Sequence, residues 1–110
     1  MKYRILQLDR ERESVSKNRK MFESWEVLNE CCGGFDIRDY KEVYAGETDD
    51  YIPQLNVTIK NKMVILDRLF DQFNLRIPED FKGHSLSVSD VVIMDNEIYF
   101  CDPYGWVEVI

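Results

Sequence analysis

Apolar and polar residues alternate along this chain with two different periods, and the switch between them marks the elements. KYRILQL (residues 2–8) mixes β-branched, aromatic and aliphatic side chains and predicts a first strand. From about Ser16 to Cys32 the apolar residues Met21, Phe22, Trp25, Leu28 and Cys32 recur at three and four, which predicts a helix with Ser16 as its N-cap and Gly33-Gly34 as its left-handed stop. YKEVYAG (40–46) predicts a short strand. In NKMVILDRLFDQFN, Met63, Leu66, Phe70 and Phe73 form a stripe at helical spacing, with Ile65 and Leu69 beside it and Asp67, Arg68, Asp71 and Gln72 opposite. Asn74 is the expected end of that helix, and Pro78 bars continuation by holding Ile77 extended. The stripe reads as a core face, not a ligand groove.

The last third reads as a meander. VVIM and EIYF are separated by Asp95-Asn96, two residues that tolerate the positive φ of a tight hairpin. CDPYGW then sets Asp102 and Pro103 at the first two positions of a turn and Gly105 at the fourth, ahead of WVEVI. Three antiparallel strands, joined by KYRILQL and YKEVYAG, give a mostly antiparallel sheet of about five strands with one long and one shorter helix packed on it. The expected class is α+β, a small two-layer sandwich.

A chain of 110 residues with 45% hydrophobic content builds one modest core, so residues 1–110 are expected to form a single domain. The opening MKYRILQLDRER does not resemble a signal peptide, and no apolar run approaches the roughly 18 residues of a membrane span, so a cytoplasmic location is expected. Cys31, Cys32 and Cys101 form no CxxC, and one histidine does not complete a zinc site with them. They read as reduced thiols, with no metal and no cofactor expected.

The net charge of −7 is unevenly spread. Residues 1–22 carry seven basic and three acidic side chains, residues 23–50 two and nine, and the remainder five and nine. A basic head is thus followed by an acidic belt. Asp36, Asp39, Glu42, Glu47, Asp49 and Asp50 form the belt and are candidates for contact with a partner protein that has a basic groove. Arg10, Arg12, Lys17, Arg19 and Lys20 in the head, with Tyr3 and Arg4, are the candidates for nucleic-acid contact.

GHSLSVSD (83–90) holds the only histidine together with three serines and an aspartate. In extended conformation His84 and Asp90 would stand about 20 Å apart at roughly 3.3 Å per residue, and no triad forms. A turn would bring Ser87 to Asp90 with no base between them. The segment also lacks the strained Gly-x-Ser-x-Gly turn of a hydrolase. No catalytic residue is therefore assigned. Ser85, Ser87 and Ser89 alternate with Leu86 and Val88, which predicts an extended piece with one apolar and one hydrogen-bonding face. Asp90 breaks the alternation, so it is expected to accept backbone or hydroxyl hydrogen bonds, or to sit at a bulge, and His84 to donate to a carbonyl.

PEDFKGHSLSVSDVV, followed by a hairpin and YFCDPYGWVEV, resembles the YodL-like domain, a small family of Gram-positive bacteria and their mobile elements. YRILQLD, YKEVYAG and LDRLFDQFN agree with it, whereas RERESVSKNRK and DDYIPQLNVTIKNK match no family element. The resemblance carries over no catalytic residues, and it leaves Gly83, His84, Ser85, Ser87, Ser89 and Asp90 as a structural family motif. Small mobile-element proteins of this kind resemble anti-CRISPR proteins, including inhibitors of type II RNA-guided nucleases. That implies a stoichiometric inhibitor that binds the CRISPR nuclease and hinders guide RNA loading or nucleic-acid entry, with no membrane and no small-molecule substrate. The charge distribution agrees, because such nucleases hold nucleic acid in basic channels. The alternatives are a nucleic-acid-binding accessory factor of a mobile element, acting through the basic head, and a hydrolase or nuclease cofactor.

Overall fold

A computed structural model describes residues 1–48, 51–52, 57–58 and 61–109. Strand β1 (Lys2–Leu8) leads through helices α1 (Glu13–Asn18) and α2 (Trp25–Cys31) to β2 (Tyr40–Glu47). A short pair, β3 (Tyr51–Ile52) with β4 (Val57–Thr58), precedes helix α3 (Lys62–Leu75) and the meander of β5 (Val91–Met94), β6 (Glu97–Asp102) and β7 (Gly105–Val109). The main sheet runs in the order β2-β1-β5-β6-β7, and every neighbouring pair is antiparallel. The chain is α+β, with a five-stranded antiparallel sheet and a single long helix. Among the described residues no helix is long and apolar enough to cross a membrane.

Period-two alternation divides the core between the two faces of the sheet. Tyr3, Ile5, Val92, Met94 and Tyr99 meet Ile65, Leu66, Leu69 and Phe73 of α3 on one face. Leu6, Val91 and Phe100 meet Leu28 and Cys32 on the other, with Trp25, Phe35 and Tyr40 around them. Helical cover is thus shared between the faces: α3 lies on one, and α2 with the segment after it lies on the other. Between Ile5 and Leu6 the β1–β2 register slips, so that Val43 has no partner in β1. This bulge leaves the Val43 carbonyl to accept from the Lys82 amide at 3.2 Å and fastens the loop before β5 to the sheet edge.

Two helical expectations need correction. The helix expected from Ser16 to Cys32 is two helices, because Arg19 and Phe22 both take left-handed backbone (φ 56° and 63°). Arg19 and Lys20 donate to Ser16 and Val15 in the pattern that closes a helix C-terminus, here without a glycine. Ser24, not Ser16, caps the second helix, its Oγ accepting from the Val27 amide at 3.2 Å. Gly33 and Gly34 (φ 85° and 92°) then end α2 as expected. In α3 the inward face is centred on Ile65, Leu69 and Phe73, with Leu66. Met63 and Phe70 lie roughly a quarter turn away at about 100° per residue and remain 39% and 37% exposed. The helix also runs one residue past Asn74, to Leu75.

Both hairpins form where the turn residues place them. Asp95 and Asn96 have φ of 51° and 62°, the pattern that matches strand twist in a two-residue loop. Pro103 and Tyr104 connect the paired residues Asp102 and Gly105.

Candidate functional site

The GHSLSVSD segment is not extended. It bends and turns, and β5 begins only at Val91. The turn brings Ser87 to Asp90: the Ser87 amide donates to Asp90 Oδ2 at 2.8 Å, and the Asp90 amide donates to the Ser87 carbonyl at 3.0 Å. Ser89 takes φ 80°, which breaks any alternation, and both Ser89 and Asp90 are buried together with Leu86. The local turn bonds and the burial of Asp90 therefore prevail over the serine–apolar alternation.

What holds the segment in place is Gln7, which follows Tyr3 and Ile5 at period two on β1 and is buried. Its Nε2 donates to the His84 carbonyl at 2.8 Å and to Asp90 Oδ2 at 3.0 Å, and its Oε1 accepts from the His84 amide at 3.2 Å. Gly83 is required for this approach, since a Cβ there would lie 2.0 Å from Gln7 Oε1. Around this clamp, Ser89 Oγ accepts from the Phe22 amide at 3.0 Å, and Tyr40 donates its hydroxyl to the Ser89 carbonyl at 2.6 Å. Sequence reasoning missed Gln7. Its one signal was a lone amide at an inward position of an apolar strand.

Asp90 has the partners expected of it. Burial pushes its carboxyl up to about 8, against the opposing effect of the Ser87 and Gln7 hydrogen bonds. His84 Nδ1 lies 2.7 Å from the Ser85 carbonyl, which can only accept, so Nδ1 carries the hydrogen and the expected His84–carbonyl bond is present. Nε2 is then buried without a hydrogen-bond partner, 3.9 Å from Asp90 Oδ1. Ser87 Oγ donates to the Ser85 carbonyl at 2.7 Å and so is turned away from His84 Nε2 as a hydrogen-bond partner. The three residues are near one another, but their bonds hold a loop.

Both candidate charged surfaces lose a member to the interior. Asp39 and Lys20 are buried and joined at 2.8 Å; the lysine also donates to the Gly34 carbonyl at 2.8 Å. Burial raises the Asp39 carboxyl, but hydrogen bonds from Lys20 and Ser14 and the lysine charge outweigh it, and it stays below its ordinary range. Asp39 is therefore no part of an exposed belt, and Lys20 is no contact for nucleic acid, because each is the other's internal counter-charge. Asp36 is tied to Arg38 at 2.7 Å, which holds its carboxyl down at about 2. Glu42 pairs with Arg4, and Glu47 is exposed. Asp49 and Asp50 lie outside the described residues. In the head, Arg10, Arg12, Lys17 and Arg19 are exposed around α1, although Arg12 reaches Asp39 at 3.5 Å and Lys17 reaches Glu13 at 3.8 Å.

Among the described residues, an open groove and a smaller cleft lie outside the loop clamp. The groove, of about 390 Å³, runs along the β2–β1–β5 end of the sheet, lined by Lys2, Arg4, Ala45, Ile93 and Asp95 among others. The cleft, of about 180 Å³, lies between α3 and the β6–β7 turn, lined by Asp67, Phe70, Cys101, Asp102 and Trp106 among others. Burial first, and then the charges of Asp90, Asp102 and Asp67, push the Cys101 thiol up to about 12. Carboxylates therefore converge on this cleft from α3 and β6.

Compared with known families, residues 2–110 match the model of the YodL-like domain. No curated protein matches the chain, and no solved structure does.

Proposed function

Since the chain belongs to the YodL-like domain family over residues 2–110, we propose that it works by occupancy, as a non-enzymatic inhibitor that binds a type II CRISPR nuclease and hinders guide RNA loading or nucleic-acid entry. The observation that supports a binding role is the internal engagement of the one segment with hydrolase-like composition. Asp90 Oδ2 accepts from Gln7 and Ser87, Ser87 Oγ donates to Ser85, and Ser89 Oγ accepts from Phe22. The net charge of −7 supports a partner whose groove is basic, such as one that otherwise holds RNA or an RNA–DNA duplex. Inhibitor and nuclease would meet in the cytoplasm of a bacterial host.

The test is affinity for the nuclease with and without preloaded guide RNA, each at two salt concentrations. A competitor for a basic groove binds the guide-free nuclease more tightly and weakens with salt. The variant E47K/D49K/D50K reverses the part of the acidic belt that the Arg38, Lys20 and Arg4 pairs do not take up. It is expected to bind more weakly, and E47K alone, at an exposed position, to leave the melting temperature unchanged, since exposed charges contribute little to stability. A salt-sensitive mobility shift with RNA or DNA alone would favour the accessory-factor reading through Arg10, Arg12, Lys17 and Arg19 instead.

A further inference from the structure

We propose that the cleft between α3 and the β6–β7 turn seats an arginine side chain of the partner protein; the inference rests on the reading of a basic partner and names the place of contact. The walls of the cleft combine two aromatic rings with two carboxylates: Phe70 and Trp106, Asp67 and Asp102. Phe70 is 37% exposed and lies on the outer side of α3, where Met63, Val64 and Leu75 are also exposed. Among the described residues, neither Phe70 nor Trp106 belongs to an aromatic pair, whereas Trp25, Phe35, Phe73, Phe81 and Phe100 all do. Trp106 packs against the core cluster under α3 and Phe70 is partly exposed, so each gives the cleft only the part of its ring that no aromatic partner covers.

The carboxylates make the cleft selective. None of the ion pairs among the described residues involves Asp67 or Asp102, and none of the described lining residues is basic. Asp102 is held in place by the Trp25 amide, which donates to its Oδ1 at 2.8 Å. Asp71 stands exposed one turn of helix beyond Asp67 and adds to the same negative field. An apolar guest would leave these carboxylates poorly solvated and unpaired, whereas a cation satisfies both the charge and the ring faces.

Size and shape narrow the guest further. At about 180 Å³ the cleft is below the roughly 300 Å³ at which small-molecule sites begin, so it suits one long side chain. A guanidinium is planar, stacks on aromatic faces and donates in a fork to carboxylates, which a lysine ammonium does not do. The contact surface thereby gains a second part, outside residues 36–50, where Asp36, Asp39 and Glu42 are paired internally.

The test has two arms, both on the full chain. In the first, N-acetyl-arginine methylamide is titrated while the indole N–H signals of the chain's two tryptophans are followed by NMR. The Trp106 signal is expected to shift and saturate at roughly millimolar concentration, the citrulline counterpart of the same shape to leave it unmoved, and Trp25 to serve as the internal control. D67N, at an exposed polar position of α3, should abolish the shift without altering the melting temperature, and F70A should abolish it as well. In the second arm, D67K is expected to weaken nuclease binding about ten-fold, as for a central anchor. No shift with the arginine compound, or an equal shift with citrulline, overturns the inference. Nuclease binding that is intact and unchanged in D67K and F70A also overturns it, while leaving the inhibitor reading standing. A shift at Trp106 with no nuclease binding by the wild-type chain sustains the cleft and refutes that reading instead.

Discussion

At the scale of single residues, the structure is most sensitive where polar groups are buried against one another. Asp90 titrates at about 8 in the fold against an ordinary value of 3.8, so the native state holds its proton more tightly than the unfolded chain does. The stability it contributes is complete below its ordinary value, declines as pH rises through about 8 and is gone above that. Urea melts at pH 5, 7 and 9 should therefore show falling stability, by at most about 1.4 kcal/mol per pH unit from this group. D90N, which keeps the shape and removes the titration, should flatten the profile, and equal slopes in both proteins would contradict the account. Lys20→Met takes the closer of its two cations from buried Asp39, leaving Arg12 at 3.5 Å, and is expected to cost about 3 kcal/mol. Gly83→Ala drives a Cβ into Gln7 Oε1 and should cost about 1–3 kcal/mol, measured in the same melts. His84→Ala and Ser87→Ala should likewise act through stability; lost activity at an unchanged melting temperature would speak for chemistry in that loop.

At the scale of elements, what could be read in the sequence and what could not follows from how local each signal is. KYRILQL, YKEVYAG and the Asp95-Asn96 and Pro103-Tyr104 turns form as read, because period-two alternation and turn chemistry act over a few neighbouring residues. The split between α1 and α2 was not legible. Met21, Phe22, Trp25 and Leu28 keep helical spacing across it, and the break depends on Lys20 turning inward to Asp39 and on the Phe22 amide reaching Ser89, partners 19 and 67 positions away. The candidate site fared similarly. Asp90's need for hydrogen-bond donors was visible, but the identity of its clamp, Gln7, depends on a contact across 83 positions. Asp39 and Lys20 looked like surface charges because nothing in their neighbourhood marks them as each other's partner. Two substitutions test the helix boundaries. Arg19→Gly should stabilise by about 1 kcal/mol, since the residue already sits in left-handed backbone. Ser24→Ala should lose about 1 kcal/mol with the α2 cap. If a continuous helix spanned both segments, Arg19→Gly would instead destabilise.

At the scale of the whole molecule, one face of the sheet is closed by α3, part of the other is closed by α2 and the segment after it, and the GHSLSVSD loop is clamped between β1, the Phe22 turn and β6. What remains for a partner is charge and unpaired surface: the exposed carboxylates, and the aromatic cleft beside Trp106. On the proposed reading, such a molecule would act in proportion to the complexes it forms. The most direct measurement is a titration of this protein against a fixed concentration of type II CRISPR nuclease, added before guide RNA, with DNA cleavage as the readout. Cleavage is expected to fall linearly to a break at a fixed stoichiometric ratio, not to deepen with longer incubation, and to recover partly when salt is raised. Progressive inactivation by substoichiometric amounts would show turnover, and would contradict that expectation.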